Sequence, residues 1–235
     1  AGAAAVVAAN EARGTIMGRL DADDALTPNA IDIMVDAHNQ HPNASLITSQ
    51  VIACDTQLQR VTPPWHQNTR LPEGTSILEH PTIGHFATFK ASHIKQTDGL
   101  NPQLKRAVDL DLYVKLEEVG DVVVLEEELY RYRQNANGIS QGTNGTLAKA
   151  LAYRVMIDGY FRRKSSGFEP NLTRAAARAM RLRQHQIDIA KPQPLFEPLK
   201  ALFSTRKTFP ELMFHPTMWR NTVSATLRNL QHRQR

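Results

Sequence analysis

An α/β body followed by a basic, mostly helical extension is predicted by three features of this chain. Over residues 1–160, short apolar segments alternate with stretches of helical periodicity, the pattern of helices layered on a sheet. Two acidic clusters stand where such segments meet. Charge is also divided: residues 161–235 hold 15 basic and 4 acidic groups, a net +11, against −6 for residues 1–160. The expected domains are therefore 1–160 and 161–235.

Taken in order, residues 1–13 read as an Ala-rich helix closed by Gly14 at a C-cap. Residues 15–20 read as a short buried strand, and Asp21-Ala22-Asp23-Asp24 follows at once. Thr27 can cap the next helix, with Pro28 at its first position. Ile31, Met34, Val35 and His38 would form its buried face. Residues 45–53 form a second strand candidate, and residues 62–74, with three prolines and Trp65, a loop. Residues 76–90 suggest a short helix and then a strand over 85–90. A turn around Asp98-Gly99 leads into a helix over 105–119, whose stripe is Val108, Leu112, Leu116 and Val119. Strands over 122–125 and 129–133, a polar loop and a helix over 147–161 complete the body. Asn171 would cap a further helix reaching about residue 189, rich in Ala and Arg.

Composition excludes several classes. With 41% hydrophobic residues and a mean hydropathy of −0.40, the 235-residue chain is not wholly disordered. No apolar run approaches the roughly 18 residues of a membrane span. The apolar opening AGAAAVVAA lacks a basic leader and an initiator Met, so it reads as neither signal nor anchor. The single Cys54 leaves no internal disulfide and no Cys-rich zinc site, and a cytoplasmic location is the default. The nine histidines show no zinc-hydrolase spacing, and no Gly-rich dinucleotide or P-loop motif occurs.

Chemistry is suggested by the two acidic clusters. Asp21, Asp23 and Asp24 follow a strand, at the sheet edge where ligands bind in open α/β folds. Asp21 and Asp23 alternate along extended backbone, so both can face one side. Close carboxylates repel unless a positive group lies between them, and a hard divalent cation completed by diphosphate oxygens is one solution. A solvated turn in which Asp24 or Thr27 merely caps the helix is the other. An EF-hand is excluded, because the loop lacks the required Gly and Glu. In the second cluster, Asp109 borders the apolar stripe in the first turn of its helix, where the dipole favours a carboxylate. It could act as a general base or simply complement the dipole. Asp111, about 200° round the helix, reads as exposed or bonded to backbone.

Four ordered segments carry a family resemblance. Gly18-Arg19-Leu20-Asp21-Ala22-Asp23-Asp24-Ala25-Leu26-Thr27-Pro28 resembles the D-x-D region of family 2 glycosyltransferases of the GT-A fold. His85-Phe86-Ala87-Thr88-Phe89-Lys90 and Thr97-Asp98-Gly99-Leu100-Asn101 resemble their acceptor-side segment. Ala107-Val108-Asp109-Leu110-Asp111-Leu112-Tyr113 resembles the helix of the catalytic base, in a form similar to bacterial hyaluronan and chondroitin polymerases. Tyr130-Arg131-Tyr132-Arg133 with Ile139-Ser140 resembles the closing segment.

The resemblance implies a Rossmann-like mixed sheet flanked by helices. It implies inverting transfer from a nucleotide sugar, usually a UDP-sugar, to a glycan hydroxyl in cell-surface or extracellular polysaccharide synthesis. Asp21 and Asp23 would hold Mn²⁺ or Mg²⁺, and Asp109 would deprotonate the acceptor. Asp24, His85, Asp111 and Arg133 complete the candidate site as substrate contacts. The family's first βαβ portion, which holds the nucleobase and ribose, is expected to be missing, so the GT-A domain would be partial. Asn135 stands where relatives often have His, so no histidine ligand is expected there. A non-catalytic glycosyltransferase-like module within a larger chain or complex is the alternative. The basic extension suits a helical cap or partner contact, or a peripheral contact at the inner face of a membrane. Its stretch 172–189 has no aromatics, so nucleic acid is not an expected partner.

Overall fold

A computed structural model of the chain describes residues 2–61, 68–134, 142–167, 173–188, 190 and 196–233. Trp65, Asn135, Ser140 and Asn171 lie outside the described residues.

The body is a mixed five-stranded sheet between helices. Its strands are β1 (Ile16–Gly18), β2 (Ala25–Leu26), β3 (Ala44–Cys54), β4 (Ala87–Lys90) and β5 (Asp121–Arg133). They lie in the order β1-β4-β3-β5-β2. β3 runs parallel to β5, and the other pairings are antiparallel. β3 is buried along its whole length, as a central strand covered on both faces must be. Its side chains divide between the faces: Leu46 joins one apolar cluster, Ile47 and Val51 the other. The two strands expected over 122–133 are one long strand, whose pairing with β3 shifts register near Gln50.

The helices of the body are α1 (Gly2–Glu11), α2 (Ala30–Gln40), α3 (Ala91–Ile94), α4 (Val108–Glu117) and α5 (Gly142–Ser166). One face of the sheet is covered by α2. Its buried side is Ala30, Met34, Ala37 and His38, while Ile31 is 64% exposed and Val35 is exposed as well. The expected stripe is thus rotated: two alanines let the helix lie close to the sheet, and the larger Ile31 and Val35 point outward. Asn29, with φ 63°, precedes this helix without a side-chain cap. Thr27 does not cap it; its hydroxyl donates to the Leu129 carbonyl at 3.4 Å. No helix forms over residues 76–80, which turn instead.

The opposite face is covered by α4 and α5. Val108, Leu112 and Leu116 are buried as expected. The helix starts at Val108 rather than 105, because Ala107 adopts a left-handed conformation with φ 55°. At Gly120 a Cβ would lie 2.7 Å from the Asn43 carbonyl and 2.8 Å from Ser45 Cβ. Only glycine permits that approach between the α4–β5 turn and the start of β3.

Beyond the body come α6 (Arg174–Asp188), α7 (Glu197–Thr208), a 3₁₀ turn (Pro210–Phe214) and α8 (Pro216–Arg233). Ala177, Leu202, Phe209, Leu212 and Met218 from these elements share one apolar cluster with Leu46, Leu116 and Tyr160. Among the described residues no helix is long and apolar enough to cross a membrane.

Candidate active site

The site forms where the chain leaves the edge strand β1. Leu20, just past the end of β1, is 51% exposed rather than buried. The acidic loop that follows is held by the end of β5. Tyr130 donates its hydroxyl to Asp24 Oδ2 at 2.7 Å and accepts from the Asp21 N–H at 3.2 Å. The Arg133 N–H donates to Asp24 Oδ1 at 2.7 Å, and Arg133 Nε donates to the Asp23 carbonyl at 2.6 Å. Arg133 Nη1 also donates to the Thr56 carbonyl.

These contacts correct the expectation for Asp24 and give Arg133 a part in holding the loop. Both oxygens of Asp24 are engaged within the fold, so it anchors the loop rather than facing a ligand. Burial pushes its carboxyl up, against the hydrogen bonds from Arg133 and Tyr130. Arg133 likewise uses Nε and Nη1 on loop carbonyls, which positions the loop.

Asp21 faces the other way. Arg19 grips it with Nε to Oδ1 at 2.9 Å and Nη2 to Oδ2 at 3.2 Å. Arg19 Nη1 lies 3.3 Å from Asp109 Oδ2. One guanidinium therefore spans a carboxylate of the first acidic cluster and a carboxylate of the second. Burial disfavours the charge on Arg19, but Asp109 and Asp21 outweigh it, and its pKa lies above that of an ordinary arginine. Asp109 sits in the first turn of α4, its Oδ1 accepting the Leu110 N–H at 2.9 Å.

His85 Nδ1 lies 3.9 Å from Asp21 Oδ2, and its ring stacks on Tyr130 and Tyr132 at 5.6 and 4.8 Å between centroids. Burial lowers its pKa, with Asp109 and Asp21 opposing, so the imidazole tends to be neutral. Asp23 is exposed beside this group.

Asp111 belongs elsewhere. It is 6% exposed and pairs with Lys115 at 2.7 Å, whose ammonium also donates to the Gly99 carbonyl at 2.8 Å. The expectation of a substrate contact is corrected: the residue is a buried tie between α4 and the turn at Gly99. Lys115 is correspondingly buried rather than extended to solvent.

Asp21 and Asp109 line one cleft of about 670 Å³, together with Arg19, Arg106, Lys149 and alanines of α1 and α5. Sequence reasoning missed Arg19, Tyr130 as the loop's anchor, and the two further cations. Arg19 carried a signal, since it stands two residues before Asp21 and shares its side of an extended chain.

Among the described residues no three His, Cys, Asp or Glu side chains converge as a metal site. Two hard carboxylates, Asp21 and Asp23, could hold Mn²⁺ or Mg²⁺ if diphosphate oxygens and water supplied the rest. The donor chemistry fits such an ion, with Arg19 already seated on Asp21.

The chain matches no protein-family model. It is 28% identical over 150 residues to a chondroitin synthase of Escherichia coli, covering 63% of this chain and 20% of that protein. It is 28% identical over 140 residues to a hyaluronan synthase of Pasteurella multocida, covering 59% and 13%. The chain thus spans about a fifth or less of these relatives' length. Among solved structures it is similar to S. aureus TarS residues 1–349 in complex with UDP-GlcNAc. The TM-score there is 0.54 at 12% identity, over 95% of this chain and 67% of that one. The same TarS segment in complex with UDP gives 0.52 at 12% identity, over 95% and 66%. The likeness in structure establishes a GT-A-type α/β fold. The resemblance to hyaluronan and chondroitin polymerases read from the motifs is borne out.

Proposed function

We propose that this chain contributes the catalytic cleft of an inverting, metal-dependent family 2 glycosyltransferase, which moves a sugar from a UDP-sugar to a glycan hydroxyl in polysaccharide synthesis. The observation that carries the reading is the single Arg19 guanidinium in reach of both Asp21 and Asp109. It supports a donor site and a base that face one cleft. Support also comes from the names of the relatives and from UDP-GlcNAc in the TarS neighbour.

In this reading Asp109 accepts the proton of the acceptor hydroxyl as the oxygen attacks the anomeric carbon. The bond from that carbon to the diphosphate breaks, its electron pair leaves with the nucleotide, and configuration inverts. Asp21 and Asp23 would hold the divalent ion, which when bound supplies Lewis-acid stabilisation of the departing diphosphate. Tyr130 and Arg133 fix the loop on which Asp21 and Asp23 stand.

The test is transfer by the complete parent protein with a panel of UDP-sugars and Mn²⁺. Asp109→Asn is expected to lower transfer by about 10²- to 10⁴-fold while UDP binding persists, because it removes the base and spares the metal carboxylates. Asp23→Ala should weaken both. Normal transfer by Asp109→Asn would overturn the base assignment. UDP binding by the wild type without transfer to any acceptor would favour the non-catalytic module.

A further inference from the structure

Arg19 makes three close contacts with Asp21, at 2.8, 2.9 and 3.2 Å, and one with Asp109 at 3.3 Å. The pairing with Asp21 is the two-pronged arrangement that fits a planar guanidinium to a planar carboxylate. Both Asp21 oxygens are therefore turned toward an internal cation. A divalent ion on the same carboxylate would lie within a few ångströms of that guanidinium, and the two would repel. Arg19 is not packed irreversibly: its side chain is 40% exposed, with room to move into the adjoining cleft.

We propose that Arg19 is a resident counter-ion of the acidic site, which holds Asp21 and Asp109 together and competes with a divalent cation for Asp21. The inference rests on the assignment of Asp21 and Asp23 to the metal. It adds a gate to that assignment: cation binding is coupled to release of an arginine, so the site has a lower cation affinity than its carboxylates alone would give. Neutralising the pair also removes the mutual repulsion of the acids, which would otherwise splay the loop away from α4.

The experiment is titration of the full chain with Mn²⁺ alone, at low ionic strength, free Mn²⁺ being read by electron paramagnetic resonance. Arg19→Gln keeps a polar side chain and removes the competing charge. It is expected to bind Mn²⁺ roughly tenfold more tightly than the wild type. Arg19→Lys, a point charge without the fork, should fall between them. Equal or weaker binding by Arg19→Gln overturns the counter-ion role, and circular dichroism of both variants separates that outcome from misfolding. Should Arg19→Gln fail to fold, Arg19→Lys decides: tighter binding supports the role, unchanged or weaker binding overturns it. Asp23→Ala distinguishes the underlying assignment. If it leaves Mn²⁺ affinity unchanged, the cation does not sit on this pair, and the metal reading falls with the gate. If Asp23→Ala weakens binding while Arg19→Gln does not strengthen it, the gate alone falls.

Discussion

Tyr130 links two roles through one oxygen. Its hydroxyl receives the Asp21 N–H and donates to Asp24, so the acidic loop is tied to β5 at two points. The ring is fully buried and stacks with His85 and with Phe86, each at 5.6 Å between centroids. Tyr130→Phe keeps that packing and deletes both hydrogen bonds. It is expected to cost about 1–2 kcal/mol, measured as a lower urea midpoint at unchanged slope, with faster amide exchange at Asp21 as the local sign. An unchanged midpoint and unchanged exchange would mean that Arg133 alone holds the loop. At this scale the acids were legible, because Asp21, Asp23 and Asp109 announce themselves by local spacing. Their partners were not. Tyr130 reaches back 109 residues to Asp21, and nothing in a local pattern encodes that distance. Asp111 misled for a related reason: its angle round the helix points to solvent unless the turn at Gly99 and Lys115 are known to cover it.

Between elements, a group of ion pairs ties α5 to α4. Arg163 has no exposed side-chain area and donates to Glu117 at 2.7 Å, to Glu118 at 2.9 Å and to the Val114 carbonyl at 3.0 Å. Arg162 adds two bonds to Glu118 at 2.9 and 2.8 Å. Glu117 in turn accepts the Ile77 N–H at 2.8 Å, which fixes the turn before β4. Burial raises the Glu117 carboxyl, with Arg163 and Ile77 pulling it back. Removing Arg163 leaves Glu117 buried without its counter-charge. Arg163→Met is therefore expected to destabilise by about 3–5 kcal/mol, read as a shift in the urea transition, and to loosen α4, which carries Asp109. A loss below about 1 kcal/mol would show that Arg162 takes over. The sequence marks these arginines only as the start of a basic run, because their acidic partners lie 44 to 46 residues earlier. Composition, caps and apolar spacing placed α4, α6 and β3 to within a few residues. Periodicity split β5, where charged residues interrupt a strand whose pairing is irregular, and it turned α2 by taking large residues rather than alanines as the buried side.

Over the whole molecule, the charge division is partly resolved inside the fold. Several basic groups of the extension are internal ties: Arg162 and Arg163 to α4, Arg174 to Glu211, and Arg181 to Thr205, Ser204 and Gln184. The extension therefore pairs part of its positive charge within the chain. Its polar interior creates an acid sensitivity shared with the sheet. His185 is fully buried against Thr222 at 2.9 Å, and His38 is buried against Thr88 at 3.0 Å. Each threonine hydroxyl can donate to a carbonyl, Thr222 to Met218 at 2.7 Å and Thr88 to Ile47 at 3.3 Å. That leaves the histidine Nε2–H as donor to the hydroxyl and Nδ1 as a buried bare nitrogen. Burial lowers both pKa values to about 4, helped by Arg181 at His185 and Lys90 at His38. An unfolded histidine takes its proton near 6.5. Between those values the unfolded chain binds protons that the fold refuses, so stability is complete above about pH 6.5 and falls as pH drops toward 4. The upper bound is about 3 kcal/mol per histidine. Carboxyls with raised pKa, such as Asp158 and Asp188, act in the opposite sense at the acid end. The difference between wild type and a variant cancels their share. His185→Gln keeps a donor toward Thr222 and cannot titrate. Urea unfolding from pH 7 to 4.5 should therefore find the variant losing less stability than the wild type by about 1–3 kcal/mol. Parallel curves would mean that His185 takes up its proton within the fold, and the neutral buried pair with Thr222 would have to be abandoned.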